Sequence, residues 1–266
     1  MHLFGYISSL AIGISLGLIG GGGSILTMPV MVYLFGLAPI TATSYSLFIV
    51  GSTSLVGAVR QYRQGAINIK MALLFATVSV LTVFLTRKYL LPSIPDHIGT
   101  IGHFPITSSW LTMVLFALIM LLSSFFMMRH DSPQANPDAR HMIPFGKLAG
   151  FGIGIGLISG LLGVGGGFLL IPSLVLLLGV PMKEAVGSSL LVIALNSLIG
   201  FLGNAQGIAL DWSLLSMVTL LAIIGILTGT YLNRKIPAAR LKKGFGWFVL
   251  AIGVYVLIRE TGRMIW

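Results

Sequence analysis

Residues 20–29 read GGGGSILTMP and residues 163–172 read GVGGGFLLIP, each inside a long apolar stretch of the 266-residue chain. Pro29 and Pro172 are 143 positions apart, and that offset also pairs Gly13 with Gly156, Gly17 with Gly160, Gly36 with Gly179 and Ala42 with Ala185. It continues through Ser46 and Ser189, Leu47 and Leu190, Ser54 and Ser197, and Gly57 and Gly200. After a one-residue gap, Gly65 matches Gly207. The chain therefore reads as a duplicated unit in which each copy breaks a membrane segment at the same place. Helix-breaking glycine runs are costly in lipid unless the freed backbone lines a protected site. Two breaks at corresponding positions are the sequence mark of a transporter's binding site.

Composition agrees with a membrane location. The chain is 56% hydrophobic and only 8% charged, with a mean hydropathy of +1.01. The longest polar stretch, Arg129 to Lys147 with Pro133 and Pro137, separates the two copies. This divides the chain into a first membrane repeat over 1–128, a linker over 129–147 and a second repeat over 148–266. There are no cysteines, which excludes disulfides, thiolate catalysis and cysteine metal sites. The net charge of +10 comes from basic residues between apolar spans, which reads as membrane orientation rather than nucleic-acid binding. No Lys or Arg precedes the first apolar run, so Leu3 onward reads as mature protein rather than a signal peptide.

Segments of spanning length cover 40–59, 68–91, 107–128, 184–203, 212–232 and 244–262. The glycine-broken stretches, 3–36 and 148–180, are long for one crossing and short for two. Each suits a re-entrant hairpin or two short helices meeting at a glycine tip. If each were a single crossing, the Lys and Arg residues would divide eight to eight between the two sides. If each goes in and returns, the second copy is inverted and the division becomes twelve to four. The positive-inside rule favours the second arrangement. The expected fold is thus an all-α polytopic membrane protein of two inverted repeats, each a broken hairpin plus three spanning helices. Both termini then lie on the non-cytoplasmic side of a bacterial inner membrane.

In such hairpins the second helix begins after the glycines, at Ser24–Ile25 and at Gly167–Phe168. A helix N-terminus presents unpaired N–H groups and partial positive charge, and glycine lets a ligand approach them. Gly20, Gly21, Gly22, Gly23 and Ser24, with Gly163, Gly165, Gly166 and Gly167, are therefore candidate substrate-binding residues for an anion. Gly13, Gly17, Gly152, Gly156 and Gly160 read instead as close helix packing. A second shared element, TATSYSLFIVGSTSLVG against EAVGSSLLVIALNSLIG, places Ser46 and Thr53 opposite Ser189 and Asn196. Each pair is seven residues apart and shares a helix face. Ser46, Ser189 and Asn196 could hydrogen-bond an oxyanion or simply bond helix to helix.

The six acidic and five histidine residues fall in loops or at span ends. No intramembrane proton relay is therefore expected, and the substrate's own protonation is the simplest carrier if transport is coupled to protons. Arg60 and Gln61, at the end of the third pass, suit either an anion vestibule or a positive-inside anchor. GVGGGF lacks the Lys-Ser/Thr and the acidic partner of nucleotide-binding loops. No nucleophile–base pair or metal cluster falls within the spans, so the reading is no enzyme, no cofactor and no metal.

The duplicated G-x-G-G-x(5)-P element, the A-x-x-x-S-L element after it, and Gly65 with Asn68 and Gly207 with Asp211 resemble the TauE/SafE sulfite exporter family over about 3–262. The resemblance implies a bacterial inner-membrane transporter of small sulfur-containing anions, such as sulfite or an organosulfonate, without enzymatic activity. Its partners are then a small anion and the lipid bilayer. A non-transporting scaffold or a passive channel for another small solute is the alternative. The two copies are not equivalent: Gly21 faces Val164, Ser24 faces Gly167, and Thr82 and Thr86 stand where the second copy has Gly225 and Gly229.

The absence of cysteine makes single-cysteine accessibility a clean test of this topology. Cysteines placed in the 60–70 and 234–243 stretches should both be shielded from an impermeant thiol reagent in intact cells. Labelling of one and not the other would exclude the inverted arrangement.

Overall fold

The computed structural model describes residues 2–93, 95, 97–101, 104–129, 145–162, 167–174, 180, 182–204, 210–233 and 238–262. The first broken stretch forms α1 (His2–Ile19), a tight turn over Gly21–Gly23 and α2 (Ser24–Tyr33). Next come α3 (Pro39–Arg63) and α4 (Ile69–Leu85). The second half contains α6 (Phe145–Leu162), α7 (Gly167–Pro172), α8 (Met182–Asn204), α9 (Trp212–Asn233) and α10 (Ala238–Gly262), preceded by α5 (Ser108–Arg129).

The regions Pro39–Arg63, Ile69–Ser93, Glu184–Gly203 and Trp212–Asn233 are long and apolar enough to cross a membrane. Their outward faces are as apolar as their inward ones. In α9, Leu215, Val218, Ala222 and Ile226 are buried while Leu220, Ile224 and Leu227 are exposed. A helix apolar all round belongs in a membrane or in a large core.

The helix boundaries have local causes. Gly65, at φ +69°, takes the left-handed conformation that closes α3. Asn68 then caps α4, its side-chain oxygen accepting from the Met71 N–H at 3.1 Å, and Asp211 caps α9 by accepting from the N–H groups of Ser213 and Leu214. Such caps satisfy donors that a helix start leaves open. Asn68 and Asp211 thus have a structural job that accounts for them without a ligand.

The connection from α4 to α5 departs from the all-helical expectation. His97–Ile101 (β1) and Phe104–Thr107 (β2) pair antiparallel, with Ile101 opposite Phe104 and an irregular register between His97 and Gly99. A short apolar run beside turn residues reads equally as strand or helix start, so the hairpin was hidden in what looked like a loop and the first residue of a span. The membrane-embedded part remains helical.

Helices pack in the pairs α1–α9, α4–α6, α3–α8 and α5–α10, with α3 also against α9 and α4 against α8. Lipid supplies no hydrophobic force between helices, so small residues that allow close approach decide which faces meet. On α1–α9, a Cβ on Gly13 would lie 2.0 Å from the Ala222 carbonyl oxygen, and one on Gly229 would lie 2.2 Å from that of Ile14. Backbone touches backbone there. On α4–α6 the glycines come from α6 alone: Gly156 and Gly160 make room for the side chains of Thr82 and Thr86. Close approach thus rests on glycine from both helices at α1–α9 and on glycine from α6 alone at α4–α6.

Gly13→Ala should lower thermal stability of the detergent-purified protein by about 1–3 kcal/mol, because the methyl meets main chain. Gly150, whose Cβ would meet nothing within 4 Å, should instead gain about 0.5–1 kcal/mol on substitution by Ala.

Candidate functional site

The glycine turn after α1 is built by close approach. Gly20 has φ +81° and ψ −104°, a conformation that L side chains rarely adopt. A Cβ on Gly23 would lie 2.5 Å from the Leu16 nitrogen, so the start of α2 lies directly on α1. The Ser24 hydroxyl donates to the Gly21 carbonyl at 2.7 Å, tying the turn to the first residue of α2. Phe35, just past α2, packs on Gly5 and meets the Tyr6 ring edge-on. The chain has therefore come back along α1 to where α1 began. The arms are unequal: at 1.5 Å per residue, α1 is about 27 Å long and α2 about 15 Å.

The first glycine turn meets the second glycine-broken stretch in main-chain contact. A Cβ on Gly21 would fall 2.0 Å from the Gly167 carbonyl oxygen, and one on Gly167 would fall 2.7 Å from the Gly21 Cα. Gly20 lies beside Val186, Ile171 and the Ser189 hydroxyl, while Gly167 faces Ile193. Of the residues picked from the sequence, Gly20, Gly21, Gly167 and Ser189 are thus brought together. Gly163, Gly165 and Gly166 lie outside the described residues.

Buried polar groups also occur on α2, α3 and α8. Thr27, Ser46, Thr53, Ser54 and Ser197 are enclosed, and among the described residues their hydroxyls have no hydrogen-bond partner. An unsatisfied buried hydroxyl costs about 1–3 kcal/mol, so such a group of them is open to a polar occupant. Ser189 donates to the Val186 carbonyl at 2.9 Å. Asn196 Nδ2 donates to Ser79 Oγ at 2.6 Å, while its Oδ1 is unpartnered. Asn196 thus bonds α8 to α4 and still keeps an open acceptor.

Charged residues depart most from the sequence reading. The sequence reading assigns the basic residues to the stretches between apolar spans, although Arg87 and Lys88 fall near the end of the span 68–91. The structure instead encloses Arg87 completely, and among the described residues Nε, Nη1 and Nη2 have no partner. It lies in a wide helical turn, Thr86–Leu90, that prolongs α4. Lys88 is exposed near the rings of Phe84 and Tyr89. The signal was available, since the apolar region runs on to Ser93 and leaves Arg87 six residues inside its end. Glu260, at the end of α10, is also buried; it accepts the Tyr33 hydroxyl at 2.8 Å, and its carbonyl accepts Trp110 Nε1 at 3.1 Å. Arg60 donates to the Leu227 carbonyl at 2.8 Å, joining α3 to α9. Among the described residues no group of three or more His, Cys, Asp or Glu could hold a metal.

The chain matches the family model described as Sulfite exporter TauE/SafE over residues 6–256. It is 29% identical to a probable membrane transporter protein of Xylella fastidiosa (strain 9a5c), over 96% of this chain and 94% of that protein. It is 27% identical to a probable membrane transporter protein of Bacillus subtilis, over 84% and 85% of the two chains. A probable membrane transporter protein of Haemophilus influenzae is 25% identical over 93% and 94%. No solved structure matches. The chain belongs to the sulfite exporter TauE/SafE family, a family of multi-pass membrane transporters.

A double-mutant cycle on Ser79→Ala and Asn196→Ala should give a coupling of about 0.6 kcal/mol, and at most about 1.7, as for other hydrogen bonds between membrane helices. Zero coupling would remove the α4–α8 bond from the account.

Proposed function

We propose that this TauE/SafE family member moves a small anion, sulfite or an organosulfonate, across the bacterial inner membrane through the junction of its two glycine breaks. The observation that carries the reading is the main-chain contact of Gly21 with Gly167, in a bundle whose α2, α3 and α8 carry buried hydroxyls without a partner among the described residues. Two interrupted helices meeting inside a bundle expose N–H groups where lipid cannot reach. At α2 those groups belong to the first turn of a ten-residue helix, whose N-terminus favours negative charge. Gly20–Ser24 and Gly167 form the cradle, with Ser46, Ser189 and Asn196 as polar neighbours.

The same reading takes residues 1–128 and 148–266 as inverted repeats joined by 129–147. Exchanging α1–α5 for α6–α10 turns the pair α1–α9 into α6–α4 and the pair α3–α9 into α8–α4, while α3–α8 and α5–α10 map onto themselves. A pairing pattern that survives this exchange supports a two-fold relation between the halves. The return of Phe35 to Gly5 supports a re-entrant first hairpin, as five passes per repeat require. Both termini then face away from the cytoplasm, and the substrate and the bilayer are the partners.

Purified protein in liposomes should show saturable flux of sulfite or a simple sulfonate. Gly21→Ala, which drives a methyl into the Gly167 carbonyl, should cut that flux at least tenfold while the protein still inserts and elutes as the parent does. Undiminished flux in that variant would exclude the glycine junction as the pathway. No flux of any anion from the parent protein would favour a scaffold.

A further inference from the structure

The glycine junction needs no charged side chain, yet Arg87 lies in the interior without a partner. Its side chain is 0% exposed and none of its three nitrogens is hydrogen-bonded. Neutralisation by proton loss, open to a buried lysine, is closed to arginine. An unpaired cation inside a membrane bundle is costly, and such residues mark substrate pathways. Wide helical turns like Thr86–Leu90 are themselves frequent at functional sites.

The neighbours of the Thr86–Leu90 turn place Arg87 where α4 meets α6 and α8. The Thr86 side chain lies on Gly160 of α6, and the Arg87 Cβ is 3.8 Å from where a Cβ on Gly203 of α8 would be. Ser159, next to Gly160, is buried with its hydroxyl unpartnered. Along the α4–α8 contact, Ser79 bonds Asn196, Val83 packs on Gly200, and Arg87 follows at Gly203. Asn196, with its open oxygen, and Arg87 therefore belong to one helix interface.

We infer that Arg87 is a ligand-binding residue that pairs with a monovalent oxyanion of the sulfonate type. The guanidinium fork presents two parallel N–H groups matched to two oxygens of one oxyanion. One cation leaves a neutral pair with a monoanion, whereas a dianion would remain charged inside the bundle. This assignment rests on the proposed anion transport and names the charge and shape of the substrate.

Thermal unfolding of the full-length protein in detergent, titrated with ethanesulfonate or sulfate at constant ionic strength, tests it. The parent should show a saturable rise in unfolding midpoint with ethanesulfonate and a smaller one with sulfate. Arg87→Met should be at least as stable as the ligand-free parent and show no rise. Arg87→Lys, which keeps the charge and loses the fork, should need at least tenfold more ethanesulfonate for half the rise. A parent that does not respond to ethanesulfonate, or that responds more strongly to sulfate, would overturn the assignment. So would an unchanged half-saturation in Arg87→Lys or a parent-like rise in Arg87→Met. If the Arg87 variants respond like the parent while Gly21→Ala loses flux, the arginine assignment fails and the glycine junction stands. If Gly21→Ala keeps its flux while the Arg87 variants lose their response, the junction fails and the arginine assignment stands.

Discussion

The contact between Gly21 and Gly167 is the constraint on which the rest of the arrangement depends. A Cβ on either residue would enter the other's backbone, so only glycine at both places lets the two broken segments meet. Gly20 adds a conformational requirement through its φ of +81°, and Gly23 lets α2 lie on α1. Gly20, Gly21 and Gly23 thus each answer to a separate steric demand. The outcome is irregular backbone deep among helices, tolerated in a membrane only where protein surrounds it.

The surrounding bundle uses the same device for a different end. Where α1 meets α9, glycine on both sides brings the two backbones together; where α4 meets α6, glycine on one side receives threonine methyls from the other. Polar atoms within the spans mostly find carbonyls one turn back, as Thr82 does with Val78 and Thr230 with Ile226. Against that background the unpartnered hydroxyls of Ser46, Thr53, Ser54 and Ser197 stand out. They concentrate on α3 and α8, the helices that pack on each other at the centre of the bundle.

The two charges buried among the described residues follow opposite rules. Glu260 lies at a helix end and accepts the Tyr33 hydroxyl from α2, so it acts as a tie between α10 and the first hairpin. Arg87 lies inside an apolar stretch and bonds to nothing. Counting charges along the chain treats both as flanking residues, because a count records sequence position and not the direction of a side chain. Lys88 and Arg87 are neighbours, yet one is exposed and the other enclosed.

Much of the architecture was legible from the chain alone. Spanning helices announce themselves because lipid demands about 20 apolar residues in a row, and the glycine run Gly20–Gly23 interrupts the helical stretch between α1 and α2. The packing role of Gly13, Gly17, Gly156 and Gly160 was equally readable from their four-residue spacing. The β1–β2 hairpin was not, since a run of five residues carries no decisive period. Nor could sequence say that Gly21 meets Gly167, that Asn196 bonds Ser79, or that Arg87 turns inward. Hydropathy and propensity are properties of a segment and its solvent, and the sequence by itself determines them. Which atoms touch, and which polar groups are left without a partner, depends on how separate helices dock, and only the tertiary structure decides that.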